Sequence, residues 1–257
     1  MSEIGTQVAI SSFPLGGKPK YSFSMLEIRP LTFIDIINYV DASRKIGDGT
    51  YGDYERLMMN FEIMKQKVPQ YYELHWPDFL YANFLMWSYS VSPDFRFFIT
   101  YECVECGEEN TVAIDLGSVS FIKYPNVAYQ IQLGGKTVTG WFPRAIEVEK
   151  KVHEYLSRAG NRVLPLDIAI LMFSFQDYND DPTLFENILI NAVHDEAREL
   201  ITILNYITHP IQPVTHTCKN PDCSRQTVIP FYYTIQKDFF RIFNEVGRVT
   251  EEYAYSE

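Results

Sequence analysis

Two stretches decide the fold. One is Tyr101-Glu102-Cys103-Val104-Glu105-Cys106-Gly107-Glu108-Glu109-Asn110, and the other is Thr215-His216-Thr217-Cys218-Lys219-Asn220-Pro221-Asp222-Cys223-Ser224. Between them they hold all 4 cysteines of the 257-residue chain. Each close pair sits between two β-like runs. Phe97-Phe98-Ile99-Thr100-Tyr101 leads into the first and Thr111-Val112-Ala113-Ile114-Asp115-Leu116 leads out. Residues 213–217 lead into the second, and Thr227-Val228-Ile229 leads out. Two strands joined by a cysteine turn make a hairpin ending in a metal knuckle. Each knuckle supplies two ligands and tetrahedral zinc takes four, so the pairs are expected to converge. Cys103, Cys106, Cys218 and Cys223 are then the ligands of one structural zinc per chain, a closed site with no position left for water. Three alternatives stand beside this reading: His216 replacing one cysteine, an iron–sulfur cluster, or four thiols that are free or disulfide-bonded.

Composition narrows the class. Hydrophobic residues make up 46% and aromatics 15%, with 18 Tyr and 18 Phe, which excludes disorder as the default. A formal net charge of −11 argues against non-specific nucleic-acid binding, which needs phosphates neutralised by Lys and Arg. No apolar run approaches the roughly 20 residues of a membrane span. Met1-Ser2-Glu3-Ile4-Gly5 has neither the basic region nor the apolar core of a signal peptide. The expectation is a protein made and kept in a reducing cytoplasm, where paired cysteines more often bind metal than form disulfides.

Outward from the knuckles, the chain reads as one α+β unit: a helical N-terminal unit, β-hairpins joined by the zinc-ribbon-like four-cysteine site, and C-terminal helices. Residues 1–24 form an extended arm, because Pro14, Gly16, Gly17 and Pro19 exclude a regular helix. Such an arm lies on its own domain or on a neighbour. Residues 25–95 form a helical unit. It opens with a strand at Met25 to Leu31, followed by a helix capped by Thr32, whose apolar stripe is Phe33, Ile34, Ile37 and Val40. A helix from Asp53 to Lys67 comes next. A third starts at Trp76-Pro77-Asp78, is apolar on most sides, and is expected at the centre of the unit. Residues 96–142 hold the first knuckle and a further hairpin turning at Gly134-Gly135. Residues 143–212 form a second helical unit, with helices from Pro143 to Leu156, from Leu166 to Phe175, and a longest one opened by Asp181-Pro182 and reaching Tyr206. The buried stripe of that last helix includes Leu184, Ile188, Val193, Ala197, Leu200 and Leu204. Residues 213–230 hold the second knuckle, and residues 231–257 a C-terminal aromatic helix and an acidic tail.

Other chemistry finds little purchase. The five histidines form no His-x3-His or His-Glu-x-x-His pattern, and no Gly-x-Ser-x-Gly elbow exists. Leu133-Gly134-Gly135-Lys136-Thr137 lacks the upstream glycine of a phosphate loop and reads as a hairpin turn. Asp177-Tyr178-Asn179-Asp180-Asp181 lacks the glycine and closing glutamate of an EF-hand and reads as a capping loop rather than a calcium site. Glu147, Glu149 and Glu154 fall at the spacing of a solvated helix face. The aromatic doublets Tyr71-Tyr72, Phe97-Phe98, Phe231-Tyr232-Tyr233 and Phe239-Phe240 fit either a two-sided core or a partner interface. No catalytic residues and no enzyme activity are expected.

The order of elements carries a resemblance. Glu27-Ile28-Arg29-Pro30-Leu31-Thr32-Phe33 opens a helix, further helices end near Ser88, and the Cys-x2-Cys-Gly knuckle then precedes Ile114-Asp115-Leu116. This resembles the baseplate hub and hub-assembly proteins of contractile-tailed bacteriophages of the T4 type, over roughly residues 10–120. The resemblance implies a structural role in the virion tail baseplate, with assembly in the host cytoplasm and no reaction catalysed. It also implies Cys103 and Cys106 as a metal knuckle. Implied partners are other baseplate, hub and tail proteins, the tape measure protein among the candidates, and further copies of the chain. No direct binding of nucleic acid or membrane is expected. The rival readings are a tail-assembly factor that leaves before maturation, a cellular zinc-ribbon adaptor, and a metal-dependent hydrolase, the last of which needs an open metal position.

Overall fold

The computed structural model describes residues 5–46, 50–90, 96–115, 119–124, 126–158, 163–175, 182–208, 212 and 214–229. The first strand, β1 (Thr6–Ala9), pairs antiparallel with β2 (Met25–Ile28). Three helices follow: α1 (Phe33–Lys45), α2 (Thr50–Lys67) and α3 (Trp76–Ser90). Next come the hairpins β3 (Arg96–Glu102) with β4 (Glu109–Asp115) and β5 (Ala128–Leu133) with β6 (Lys136–Trp141). Helices α4 (Ala145–Arg158), α5 (Leu166–Phe173), α6 (Pro182–Asn191) and α7 (His194–Thr208) precede the last hairpin, β7 (Val214–Thr217) with β8 (Gln226–Ile229). Every sheet among the described residues is a two-stranded antiparallel hairpin. The architecture is therefore α+β, as expected. The turn at Gly134-Gly135 has φ of 61° and 73°, the paired left-handed conformation that matches hairpin twist.

One hydrophobic core runs from Ile10 to Ile207. At its centre lies α3, which buries Trp76, Phe79, Leu80, Phe84, Met86 and Trp87, so it is indeed apolar on most sides. The N-terminal arm lies on its own chain. Phe13 and Leu15 are fully buried, worth about 2 kcal/mol each by area, and Phe13 meets Tyr81 of α3 edge-on at 5.0 Å. Polar anchors fix its path. The Leu15 N–H and the Tyr21 hydroxyl both donate to buried Asp78, at 2.9 and 2.7 Å. Ser22 donates its N–H and hydroxyl to Glu73, and Lys123 donates to the carbonyls of Ser12 and Phe13. The arm thus closes over the start of α3 and gives β1 its place beside β2.

Several expectations need correction. Thr32 does cap α1, and Asp35 returns a bond to its N–H in a reciprocal capping box. Its apolar stripe is nevertheless largely exposed: Phe33 is 78% accessible, and Ile34 and Ile37 also face outward. The helix packs instead through Tyr39, which is 3% accessible and sits edge-on to Trp87 at 5.3 Å. The expected longest helix is two helices, broken at Ala192-Val193. Glu196 turns back to accept the Val193 N–H and also the Gly135 N–H at the β5–β6 turn, which starts α7 afresh against that hairpin. Of the expected stripe, Leu200 is buried and Ile188 and Leu204 pack against the core, but Leu184 and Val193 are exposed, and Phe185, Ile203 and Ile207 are buried in addition. The helix expected from Pro143 starts at Ala145, with Glu147 accepting the Arg144 N–H. Glu149 is not on a solvated face. It is buried and accepts from the Tyr71 hydroxyl at 2.9 Å and from Lys65 at 2.7 Å. Of the doublets, Tyr71 points inward and Tyr72 outward. The expected C-terminal helix and acidic tail, and the Asp177 to Asp181 loop, lie outside the described residues.

Candidate metal centre

Both cysteine turns close in the same way from unlike sequences. In the first, the Cys103 N–H donates to the Glu108 carbonyl at 2.9 Å, and the Gly107 N–H donates back to the Cys103 carbonyl at 2.8 Å. Gly107 has φ of +71°, so the residue after the second cysteine must enter the left-handed region. In the second, the Cys218 N–H donates to the Arg225 carbonyl at 2.8 Å. The Cys223 and Ser224 N–H groups both reach the Asn220 carbonyl, at 3.1 and 3.2 Å. Ser224, after the second cysteine there too, has φ of 48°. The Asn220 side chain accepts the Asp222 N–H at 3.0 Å, an Asx turn that takes up the two extra residues of the wider spacing.

The two hairpins bring their knuckles together. The ligand atoms of Cys103, Cys106, Cys218 and Cys223 all lie within 4.8 Å of one another. Across the hairpins, Cys103 and Cys223 are 3.8 Å apart and Cys106 and Cys218 are 3.7 Å apart. These cysteines are free, and the separations are far beyond the roughly 2.05 Å of a disulfide. Cys103 and Cys218 are buried and Cys106 is exposed, so the cluster lies at the surface with one edge toward solvent. The Glu105 and Cys106 amides aimed at Cys103 bring its thiol down to about 7. At Cys106 the Glu108 amide pulls the same way, but desolvation and the other three sulfurs outweigh it and push the thiol up to about 12. Four sulfurs this close do not all ionise without a compensating charge among them.

Around the sulfurs the hairpins are stitched directly. Tyr101 Oη and His216 Nδ1 are 2.9 Å apart, a hydrogen bond whose donor depends on the imidazole tautomer. His216 is thus committed to Tyr101 and is not part of the four-sulfur group. Asn110 reaches the second knuckle at Cys218 Sγ and the Lys219 N–H. On the rim, Arg225 pairs with Glu105, and Lys219 with Glu108 at 3.0 Å. Sequence reasoning named the four cysteines, and His216 only as an alternative ligand, and missed Tyr101, Asn110 and the rim pairs. The one available signal was position: Tyr101 and Asn110 immediately border the first knuckle and are directly opposite in the β3–β4 register, so both side chains project from one face.

Fold and site together define a class: an α+β chain whose two distant cysteine hairpins meet in a cluster of four sulfurs. Comparison with protein families, curated proteins and solved structures finds no match to this chain. No helix among the described residues is long and apolar enough to cross a membrane.

Proposed function

We propose that the chain is a non-enzymatic structural subunit of a contractile bacteriophage tail baseplate, at or near its hub, and that its four cysteines hold one structural zinc. The metal reading rests on the sulfur geometry. A tetrahedral ion with metal–sulfur bonds of about 2.3 Å sets its sulfurs about 3.8 Å apart, and the Cys103–Cys223 and Cys106–Cys218 separations match that edge. The donor set is all sulfur and fills four positions, which favours zinc over harder cations and leaves no site for a reacting water. Such an ion stabilises the fold by joining chain segments more than 100 residues apart in sequence. The baseplate reading rests on the resemblance carried by Arg29-Pro30-Leu31-Thr32 and by Cys103 to Gly107 ahead of Ile114-Asp115. It agrees with a site built for holding rather than for catalysis.

Mass spectrometry of purified tail-bearing particles from the phage that encodes the chain tests the role, together with metal analysis of the isolated protein. The expected result is the chain in intact particles and about one zinc per chain. Presence in assembly intermediates but not in finished particles makes it a transient assembly factor. Absence from both overturns the baseplate reading, and a metal ratio near zero overturns the zinc.

A further inference from the structure

The two buried cysteines, Cys103 and Cys218, differ in where a donor to sulfur comes from. At Cys103 the amides aimed at sulfur belong to its own turn, those of Glu105 and Cys106. At Cys218 a donor comes from the opposite hairpin: Asn110 Nδ2, at 3.6 Å. Asn110 is fully buried. Its other N–H and its carbonyl oxygen are engaged as well. Nδ2 donates to the Glu108 carbonyl at 2.8 Å, and Oδ1 accepts the Lys219 N–H at 2.8 Å. The amide has one workable orientation, because a flip would set Nδ2 against the Lys219 donor and Oδ1 against the Glu108 carbonyl. A fully satisfied buried amide of this kind specifies geometry, whereas a partly satisfied one is costly.

Building on the metal staple proposed above, we infer that Asn110 is the positioning residue of the centre: it docks the second knuckle against the first hairpin before metal arrives, and it tunes the metal through its bond to Cys218 sulfur. Docking runs through Oδ1 and the Lys219 N–H and needs no ion. Tuning runs through Nδ2, because an N–H donated to a thiolate draws off part of the excess negative charge that four thiolates place around a divalent ion. Tyr101, opposite Asn110, makes the neighbouring contact to His216, so the face that carries the clasp has two points of attachment.

Two substitutions separate these roles. Asn110→Leu removes donor and acceptor, whereas Asn110→Asp keeps an acceptor for Lys219 but places a carboxylate against the sulfur. In zinc competition titrations both are expected to weaken binding by about 10- to 100-fold while still binding one ion. In the cobalt(II)-substituted protein both should move the thiolate-to-metal charge-transfer band to lower energy, since the thiolate has lost a hydrogen bond. Protection of the Lys219 amide from hydrogen exchange should fall in Asn110→Leu and persist in Asn110→Asp. It should also persist in chelator-stripped wild-type protein, a measurement that needs no variant to fold. Unchanged affinity and unchanged band energy in both variants, with one zinc bound, overturn the tuning role. Loss of Lys219 protection on stripping the wild type overturns the docking role. Wild-type protein that takes up no zinc overturns the staple and the tuning, and the Lys219 readout then judges the docking alone.

Discussion

Asp78 shows how one residue decides where the N-terminal arm lies. It stands at the start of α3, fully buried, with the Leu15 amide and the Tyr21 hydroxyl as donors. Burial is the largest influence on it and raises its carboxyl from 3.8 to about 6; the two hydrogen bonds and Lys123 pull the other way and offset only part of this. Between about pH 4 and pH 6 the folded chain therefore keeps a proton that the unfolded chain has released, so this group's contribution to stability falls as pH rises through that window. A shift of that size corresponds to about 3 kcal/mol across the window. Other carboxylates slope the opposite way: Asp35 and Glu73 are held low by their partners, and what they contribute is lost as pH falls. The difference between wild type and Asp78→Asn isolates the buried group. Denaturant unfolding at pH 4.5 and 7.5 should show the variant gaining on the wild type at the higher pH. Equal slopes would mean that Asp78 titrates alike in both states. In the sequence, Asp78 was legible as a first-turn acid of α3, and nothing local pointed to the arm as its partner.

At the scale of elements, what local chemistry specifies was legible and what packing specifies was not. The hairpins were readable because cysteine turns and Gly134-Gly135 punctuate β-branched runs, and α3 because so few of its positions are polar. The faces of α1 were misread. Its apolar residues at helical spacing are Phe33, Ile34, Ile37 and Val40, yet burial falls on Tyr39, because Trp87 of α3 offers it an aromatic edge. A periodicity argument has no access to that partner. The consequence is measurable. Phe33→Ser should change stability by less than about 0.5 kcal/mol, as exposed substitutions do, whereas Tyr39→Ala should cost about 3 kcal/mol or more. Thermal unfolding of both variants checks this, and the reverse order would restore the face read from sequence. The break between α6 and α7 was hidden for a related reason. No glycine or proline marks it; it comes from Glu196 serving Val193 and the distant Gly135 at once. Ser224 was equally hidden, since its left-handed backbone is imposed by the knuckle and not signalled by residue type.

For the whole molecule, the division of labour between core and cysteine cluster predicts how the protein comes apart. The core is built on α3 and closed by the arm, and the four-cysteine cluster is not among its members. The cysteine hairpins join it through Val112 and Ile114 of β4, which are buried, and through Tyr101 of β3 and Val214 of β7, which pack against its edge. Their tips are held to one another instead, by four sulfurs, Asn110, and the Tyr101 to His216 bond. If one ion occupies the sulfurs, its removal takes away the strongest of these links and leaves the helical core with its own buried area intact. Chelation should therefore uncouple the molecule into two steps. Amides at the knuckles, Cys103 and Cys218 among them, should exchange faster, while those of α3 from Phe79 to Trp87 keep their protection. If the pairs share one ion, Cys223→Ala should act as chelation does, and the change should appear at Cys103 in the opposite hairpin. Loosening confined to residues 218–225 would show that each knuckle stands alone. A single cooperative loss reaching α3 would show that the cluster supports the core as well as the hairpins, and the staple would then belong to the fold's centre instead of its edge.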